Sequence, residues 1–223
     1  MSLYILGDVH GCMKTLMALV DKLPGEKNLA FVGDLIDRGP DSKEVVEYVM
    51  SNKFPCVLGN HEDLALYHHG RRPKREGIYD SAIWMRNGGK NTIKSYSGEI
   101  SKEHLDYFET LPLTMEFPFT YTKDGLTLFL SHTTICDFGM KEVEDNLKLA
   151  CQLDNPKYLG NSIIWNRGAH LNLEGVYHVY GHTPHNGKVV QEAEANVDTG
   201  GFYRKMTALR FPEMEIYEQE FIG

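Results

Sequence analysis

Three short apolar runs open the chain, and each ends in the same way. Leu3-Tyr4-Ile5-Leu6 stops at Gly7-Asp8, Leu29-Ala30-Phe31-Val32 at Gly33-Asp34, and Phe54 to Leu58 at Gly59-Asn60-His61. Between the first two, Leu16, Leu19, Val20 and Leu23 recur at helical spacing until Pro24-Gly25 ends the segment. Between the second and third, Pro40 and Asp41 open a helix with Val45, Val46, Val49 and Met50 on one face. The order reads β-α-β-α-β. Near-continuous apolar strands joined by helices predict parallel strands buried on both faces. Ligand sites in such sheets lie at the carboxyl ends of the strands.

The pattern changes between Gly70 and Gly98. Arg71, Arg72, Lys74, Arg75, Arg86 and Lys90 mix there with Tyr79, Trp84 and several glycines. We read a surface insertion near 70–100 with some helix around Ser81–Arg86, serving as a solvated connection or as a substrate-shaping lid. A helix over 101–109 turns Leu105 and Phe108 inward. Further strands follow at 126–130, ending at Ser131-His132, at 176–180, ending at Gly181-His182, and at 195–197, ending at Asp198. A helix falls near 141–153, and 206–211 with 214–217 reads as a closing hairpin around Pro212. No repeat or low-complexity linker interrupts the chain. The expectation is α/β: one domain over residues 1–223, its second sheet facing the first, with helices outside.

Composition narrows the function classes. The 223 residues carry 23 Lys plus Arg against 31 Asp plus Glu, a formal charge of −8. Such an acidic chain is a poor non-specific nucleic-acid binder, so no stable nucleic-acid partner is expected. No apolar run approaches the ~20 residues of a membrane span, so the expectation is a cytoplasmic chain without a membrane partner. The four cysteines form no CxxC pair and read as free thiols in a reducing compartment. Ten histidines are the exception to this ordinary picture.

Several of those histidines fall at the strand ends: Asp8 with His10, Asp34 with Asp37 and Arg38, Asn60 with His61, then His132 and His182. Any one could be a satisfied turn residue. Together they deliver carboxylate, carboxamide and imidazole donors to one edge, a set suited to Mn, Fe or Zn. No thiolate is among them, which argues against a closed structural zinc site. The number of donors suggests two divalent ions. Asp8, His10 and Asp34 can hold one; Asn60, His132 and His182 can hold the second, with Asp34 bridging at the ~3.5–4 Å separation usual in two-metal hydrolytic sites. Such a pair lowers the pKa of a shared water and supplies hydroxide as nucleophile. His61 follows a candidate ligand directly. A hydrogen bond to Asp37 would favour its protonated form and make it a general acid. Arg38 and Arg167 offer planar forks suited to phosphate oxygens.

At this point the motifs resemble a known family. GDVHG (Gly7–Gly11), GDLIDRG (Gly33–Gly39) and GNHE (Gly59–Glu62) are similar to the three-part motif of the calcineurin-like metallophosphoesterases. The match is closest to the phosphoprotein-phosphatase branch in its small bacterial and phage form. His132, Trp165-Asn166-Arg167, Gly181-His182-Thr183 and Val197-Asp198-Thr199-Gly200 continue the resemblance, which spans roughly residues 3–211. It implies a four-layer αββα sandwich of two mixed sheets flanked by helices, with a dinuclear centre of Mn, or of Fe or Zn. By motif position, Asp8, His10 and Asp34 bind one metal, and Asp34, Asn60, His132 and His182 the other. His61 is the acid, Asp37 its partner, and Arg38 and Arg167 the phosphate clamps. One departure is the pair Thr133-Thr134, where the family often has small residues.

The resemblance implies hydrolysis of phosphomonoesters, phosphoserine or phosphothreonine on proteins first. A symmetrical diadenosine tetraphosphatase or another nucleotide phosphoesterase is the alternative. Asp37 in Asp37-Arg38-Gly39 tilts the reading toward protein phosphatase, because the symmetrical enzymes often carry alanine there. A phosphate-binding relative without activity would lack a ligand or the acid, and none is missing. A nucleic-acid phosphatase rests only on the basic cluster Arg71, Arg72, Lys74 and Arg75.

Overall fold

The computed structural model describes residues 2–73, 82–168 and 171–223. Two four-stranded sheets carry the chain. In the first, β1 (Leu3–Leu6) pairs in parallel with β2 (Leu29–Phe31) on one side. On the other it pairs antiparallel with β7 (Lys205–Phe211), which forms a hairpin with β8 (Glu215–Glu220). In the second, β3 (Thr114–Lys123) runs antiparallel to β4 (Leu126–Ser131), which runs parallel to β5 (Val176–Tyr180). The last strand, β6 (Glu194–Asn196), runs parallel to β5. Both sheets are mixed, and helices flank them, as the sequence led us to expect.

The two-residue period of the strands builds two separate cores. Leu3 and Ile5 of β1 pack with Leu128 and Leu130 of β4, Tyr177 and Val179 of β5, and Leu209 and Phe211 of β7, forming the layer between the sheets. The alternate residues Tyr4 and Leu6 join Leu16, Leu19 and Val20 of α1 (Met13–Lys22) and Val45, Val46 and Val49 of α2 (Ser42–Ser51). A slip of one residue in β1 would exchange these two sets, which pins its register. Each fully buried Leu or Val contributes ~1.5–3 kcal/mol.

The structure departs from the sequence reading in four places. The third apolar run is not a full strand: Cys56 alone bridges Phe31. Pro55 has no N–H to give a ladder, and Leu58 N donates to Pro112 O at 2.8 Å instead. Directly after it, α3 (Asn60–His68) forms, although no amphipathic period announces it. Asn60, His61, Glu62 and Asp63 are buried beside Leu64, Ala65 and Leu66, so the helix has no solvent face to reveal. Strand β3 also escaped the reading. It lies at a sheet edge, contains Pro118 and shifts register between Phe117 and Thr122.

The fourth place is the segment read as a surface insertion. Ser81, Lys74, Arg75 and Tyr79 lie outside the described residues. Beyond them the chain makes a wide π turn, Met85–Gly89, kinked at Gly88 (φ 113°), then α4 (Lys90–Ser95). Trp84 is 1% exposed and Thr92 is wholly buried, so this stretch is partly interior. Helix α5 (Lys102–Thr110) follows with Ser101 capping it through His104 N. Helices α6 (Val143–Ala150) and α7 (Pro156–Leu159) precede β5. Among the described residues, no helix is long and apolar enough to cross a membrane, and all four cysteines are free.

Candidate metal centre at the strand ends

Strand ends at one edge of the two sheets bring the polar residues together, and the backbone is strained where they sit. Among the described residues nine non-glycines have positive φ, and five of them are His10, Asp34, Asp37, Arg38 and His182. Such conformations cost about 1–3 kcal/mol each and persist only where surrounding contacts over-determine them. Here those contacts are visible. Val9 N and His10 N both donate to Asp34 O, at 3.1 and 2.9 Å, and Gly39 N donates to His10 O at 2.9 Å. Gly59 must be glycine, since a Cβ there would lie 2.3 Å from both Asp34 N and Asp34 Oδ1.

Asp34 is the hub, and its two oxygens face two different groups of donors. Oδ2 lies 3.7 Å from His10 Nε2 and 3.8 Å from His61 Nε2. Oδ1 lies 3.4 Å from His132 Nε2. His132 Nε2 is in turn 3.0 Å from Asn60 Oδ1 and 3.2 Å from His182 Nδ1. Two buried groups could each hold a metal ion: His10, Asp34 and His61, and Asp34, His132 and His182. Asp8 joins the first through Oδ2, 3.8 Å from His10 Nε2, while its Oδ1 accepts from His182 N at 3.2 Å. All six ligands expected from the sequence are buried, and contacts link them in one cluster. His61, expected as the acid, also stands within the first donor group.

The outer contacts orient the imidazoles. His10 Nδ1 meets Ile36 O at 3.0 Å and His132 Nδ1 meets Val32 O at 2.6 Å, so both rings turn Nε2 toward Asp34. Helix α3 starts at the site, and His61 N donates to Asp34 Oδ1 at 3.0 Å. The electrostatics fit a cation. Burial, then Asp198 and Asp34, push Asp8 well above the usual carboxylate range. Burial also works to raise Asp34, but His132 and His61 hold it well below. Burial opposes a charge on His132, yet Asp34 pushes it up to about 9. Burial and His132 drive His182 down to about 2. The clustered carboxylates thus favour positive charge at this place. His182 Nε2 and Asp198 Oδ2 have no hydrogen-bond partner among the described residues. Buried oxygen and imidazole donors without thiolate suit divalent Mn, Fe or Zn.

Beside this cluster, His61 Nδ1 donates to Asp37 Oδ2 at 2.6 Å, as the spacing had suggested. Arg38 lies across both imidazoles, Nη1 2.7 Å from His10 Nε2 and Nη2 3.0 Å from His61 Nε2, with its guanidinium 4.7 Å from the Phe202 ring centre. Arg167 stands apart from this group. It donates to Thr183 Oγ1 at 3.2 Å, next to His182 in sequence, and its charge helps lower the His182 pKa. The departure at Thr133-Thr134 has a structural use: Asn166 Nδ2 donates to Thr134 Oγ1 at 2.9 Å, tying the loop that carries Arg167 to the end of β4.

Four residues at the site were given no role from the sequence. Glu62 accepts from Asp34 N, Leu35 N, Ile36 N and Gly59 N at 2.8–3.3 Å, and holds the Asp34 loop. Asp198 is 1% exposed and neighbours Asp8 electrostatically. It follows a strand-end apolar run, so the rule that found the others also applied to it. Trp84 and Thr92 donate to Asp37, and nothing in their sequence spacing signals that.

Comparison with known proteins gives a consistent picture. The calcineurin-like phosphoesterase family model matches residues 1–211. The asymmetrical bis(5'-nucleosyl)-tetraphosphatase PrpE of Halalkalibacterium halodurans is 32% identical over 238 residues, covering 95% of this chain and 90% of that protein. The cold-active protein-tyrosine phosphatase of a Shewanella species shares the fold at 16% identity, with TM-score 0.59 over 98% of this chain and 80% of its own. A protein serine/threonine phosphatase from Saccharomyces cerevisiae does so at 16% identity, with TM-score 0.54 over 100% of this chain and 80% of its own.

Proposed function

The chain belongs to the calcineurin-like phosphoesterase family, and on that footing we propose that it splits dinucleoside tetraphosphates asymmetrically with two divalent ions, Mn first among them. The observation that carries the two-ion part of the reading is the convergence of two buried donor groups on the single carboxylate of Asp34. Asp8, His10 and Asp34 would hold one ion, and Asp34, Asn60, His132 and His182 would hold the other. When bound, the ions activate a water and neutralise charge on the phosphate oxygens.

The chain's own residues do the rest. His61, held upright by Asp37, presents Nε2 to the leaving oxygen as general acid. Arg38 gives its two nitrogens to non-bridging oxygens and Arg167 adds charge at the rim. The curated relative supports the substrate class, since PrpE of Halalkalibacterium halodurans is named an asymmetrical tetraphosphatase and aligns along nearly its whole length. This differs from the symmetrical cleavage considered from the sequence. Nucleic acid draws less support. Arg72 pairs with Asp63 at 3.0 Å, and Arg71 with Asp106 and Glu109 at 3.1 Å, so neither is a free basic patch.

One feature favours a second reading, phosphoserine or phosphothreonine. A buried Asp37–His61 acid pair matters most where the leaving group is a poorly stabilised alkoxide. A substrate panel with Mn-loaded protein separates the two. Diadenosine tetraphosphate yielding ATP and AMP supports the first reading. ADP alone makes the cleavage symmetrical, and turnover confined to phosphopeptide gives the second. His61→Asn is expected to retain both metals and lower turnover on a poor leaving group by ~10²–10⁴-fold.

A further inference from the structure

Asp37 is a buried carboxylate in a left-handed backbone (φ 73°), followed by Arg38 in another (φ 68°). Neither conformation is held by the elements that carry the candidate ligands alone. Trp84 Nε1 donates to both Asp37 oxygens, at 3.1 Å to Oδ1 and 2.9 Å to Oδ2. Thr92 Oγ1 donates to Oδ1 at 2.6 Å and accepts from Asp37 N at 2.9 Å. Oδ2 is thereby left aimed at His61 Nδ1. The Arg38 backbone is gripped by the same stretch. Asn91 Nδ2 donates to Arg38 O, and Gly88 packs so closely that a Cβ there would lie 2.6 Å from Arg38 N. Gly89 is equally tight on the Trp84 ring, at 2.6–2.9 Å. Trp84 also sits edgewise or tilted against His68 and His69 at the far end of α3, with ring centres 4.8 and 5.4 Å apart. One indole therefore braces the last turn of the helix whose first turn carries His61.

We propose that the Trp84–Thr92 segment is a positioning clamp for the leaving-group acid: Trp84 and Thr92 hold the Asp37 carboxylate on His61, and Gly88 and Asn91 hold the adjoining Arg38 backbone. The inference rests on the reading of His61 as the acid. Trp84 and Thr92 touch no substrate. They act by denying Asp37 other rotamers, which keeps the imidazole ring in the orientation that donates from Nε2. The segment read as a solvated connection or a lid is on this view part of the machinery, and it works without moving.

The test is a series of aryl phosphates with leaving groups from p-nitrophenol to phenol, using Mn-loaded protein. Trp84→Phe keeps an aromatic ring beside Gly89 while removing the N–H together with part of the indole, and Thr92→Val exchanges the hydroxyl for a methyl, so melting temperatures are read alongside the kinetics. For each, kcat on phenyl phosphate is expected to fall ~10-fold with KM within about 2-fold, while p-nitrophenyl phosphate, which needs little protonation, falls far less. The dependence of rate on leaving-group pKa therefore steepens, and combining either change with His61→Asn adds nothing to the slope of His61→Asn alone. Equal losses across the series, in variants whose melting temperatures are close to wild type, would mean a structural role and overturn the clamp. So would slopes equal to wild type. If His61→Asn itself leaves the slope unaltered, the acid reading fails and this inference falls with it. A steep slope in His61→Asn and a flat one in both clamp variants refutes the clamp alone.

Discussion

The two sides of Asp34 are built differently. On the Oδ2 side, Asp8 and His10 come from the loop after β1 and His61 from the first turn of α3, and Arg38 already lies on both imidazoles. On the Oδ1 side, His132 and His182 come from the other sheet and meet Asn60 and each other, with Arg167 acting on His182 only through its charge. The first side is local in sequence and covered by a donor that can turn to phosphate. The second spans a hundred residues, as in the bond from His132 Nδ1 to Val32 O, and depends on how the sheets pack. Asp34 faces both sides, and Asp8 links them as well through His182 N, so the difference teaches where each proposed ion's retention should be vulnerable.

Asp34→Asn should break the comparison outright. Both ions are expected to weaken together, and turnover to fall by roughly 10³-fold, the equivalent of ~4 kcal/mol in the barrier. Metal analysis after gel filtration checks it; retention of one full equivalent would remove Asp34 from the bridge. Next come His10→Ala and His132→Ala. Each should lose about one equivalent and ~10²-fold in turnover, with opposite ions affected. If both variants lose the same ion, the two-sided description is wrong.

Glu62→Gln sharpens the comparison by loosening the hub without touching a donor. Half of the acceptor that serves four backbone N–H groups becomes a donor. At ~1–3 kcal/mol for each orphaned N–H, a loss of about 2–4 kcal/mol is expected. Thermal melts read this, and a midpoint equal to wild type would show that Glu62 does not hold the loop.

The smallest effect lies away from both sides and calibrates them. His104 accepts from Tyr96 Oη at 2.6 Å, and burial lowers its pKa below the ordinary 6.5 against the pull of Glu47 and Glu103. A depressed histidine adds stability above its unfolded pKa and loses it as pH falls through the folded one. Wild type should therefore lose more stability than His104→Gln as pH drops below about 6.5. Parallel melting curves would assign the acid sensitivity to the site instead.

Much of this was legible early because strand ends announce themselves. An apolar run stopping at glycine and then Asp, Asn or His places a side chain at the sheet edge whatever surrounds it, which located Asp8, Asp34, Asn60, His132 and His182. Asp37 and Arg38 followed from the same turn. Helix α3 did not show, because burial on every side erases the amphipathic period. Trp84 did not, because an indole in a basic, glycine-rich stretch looks like surface until Asp37 is found beside it. Glu62 did not, because its partners are backbone N–H groups, which carry no residue identity.

The sequence by itself determined the family, the mixed two-sheet α/β architecture and the donor types at the edge, since these depend on local periodicity and on chemistry written residue by residue. Only the tertiary structure decided which oxygen of Asp34 faces which histidines, that Asp198 stands beside Asp8, and that residues 82–95 reach inward to Asp37. Those relations arise from packing two sheets and a connecting segment against each other. Contacts between residues tens of positions apart leave no period in the chain to read.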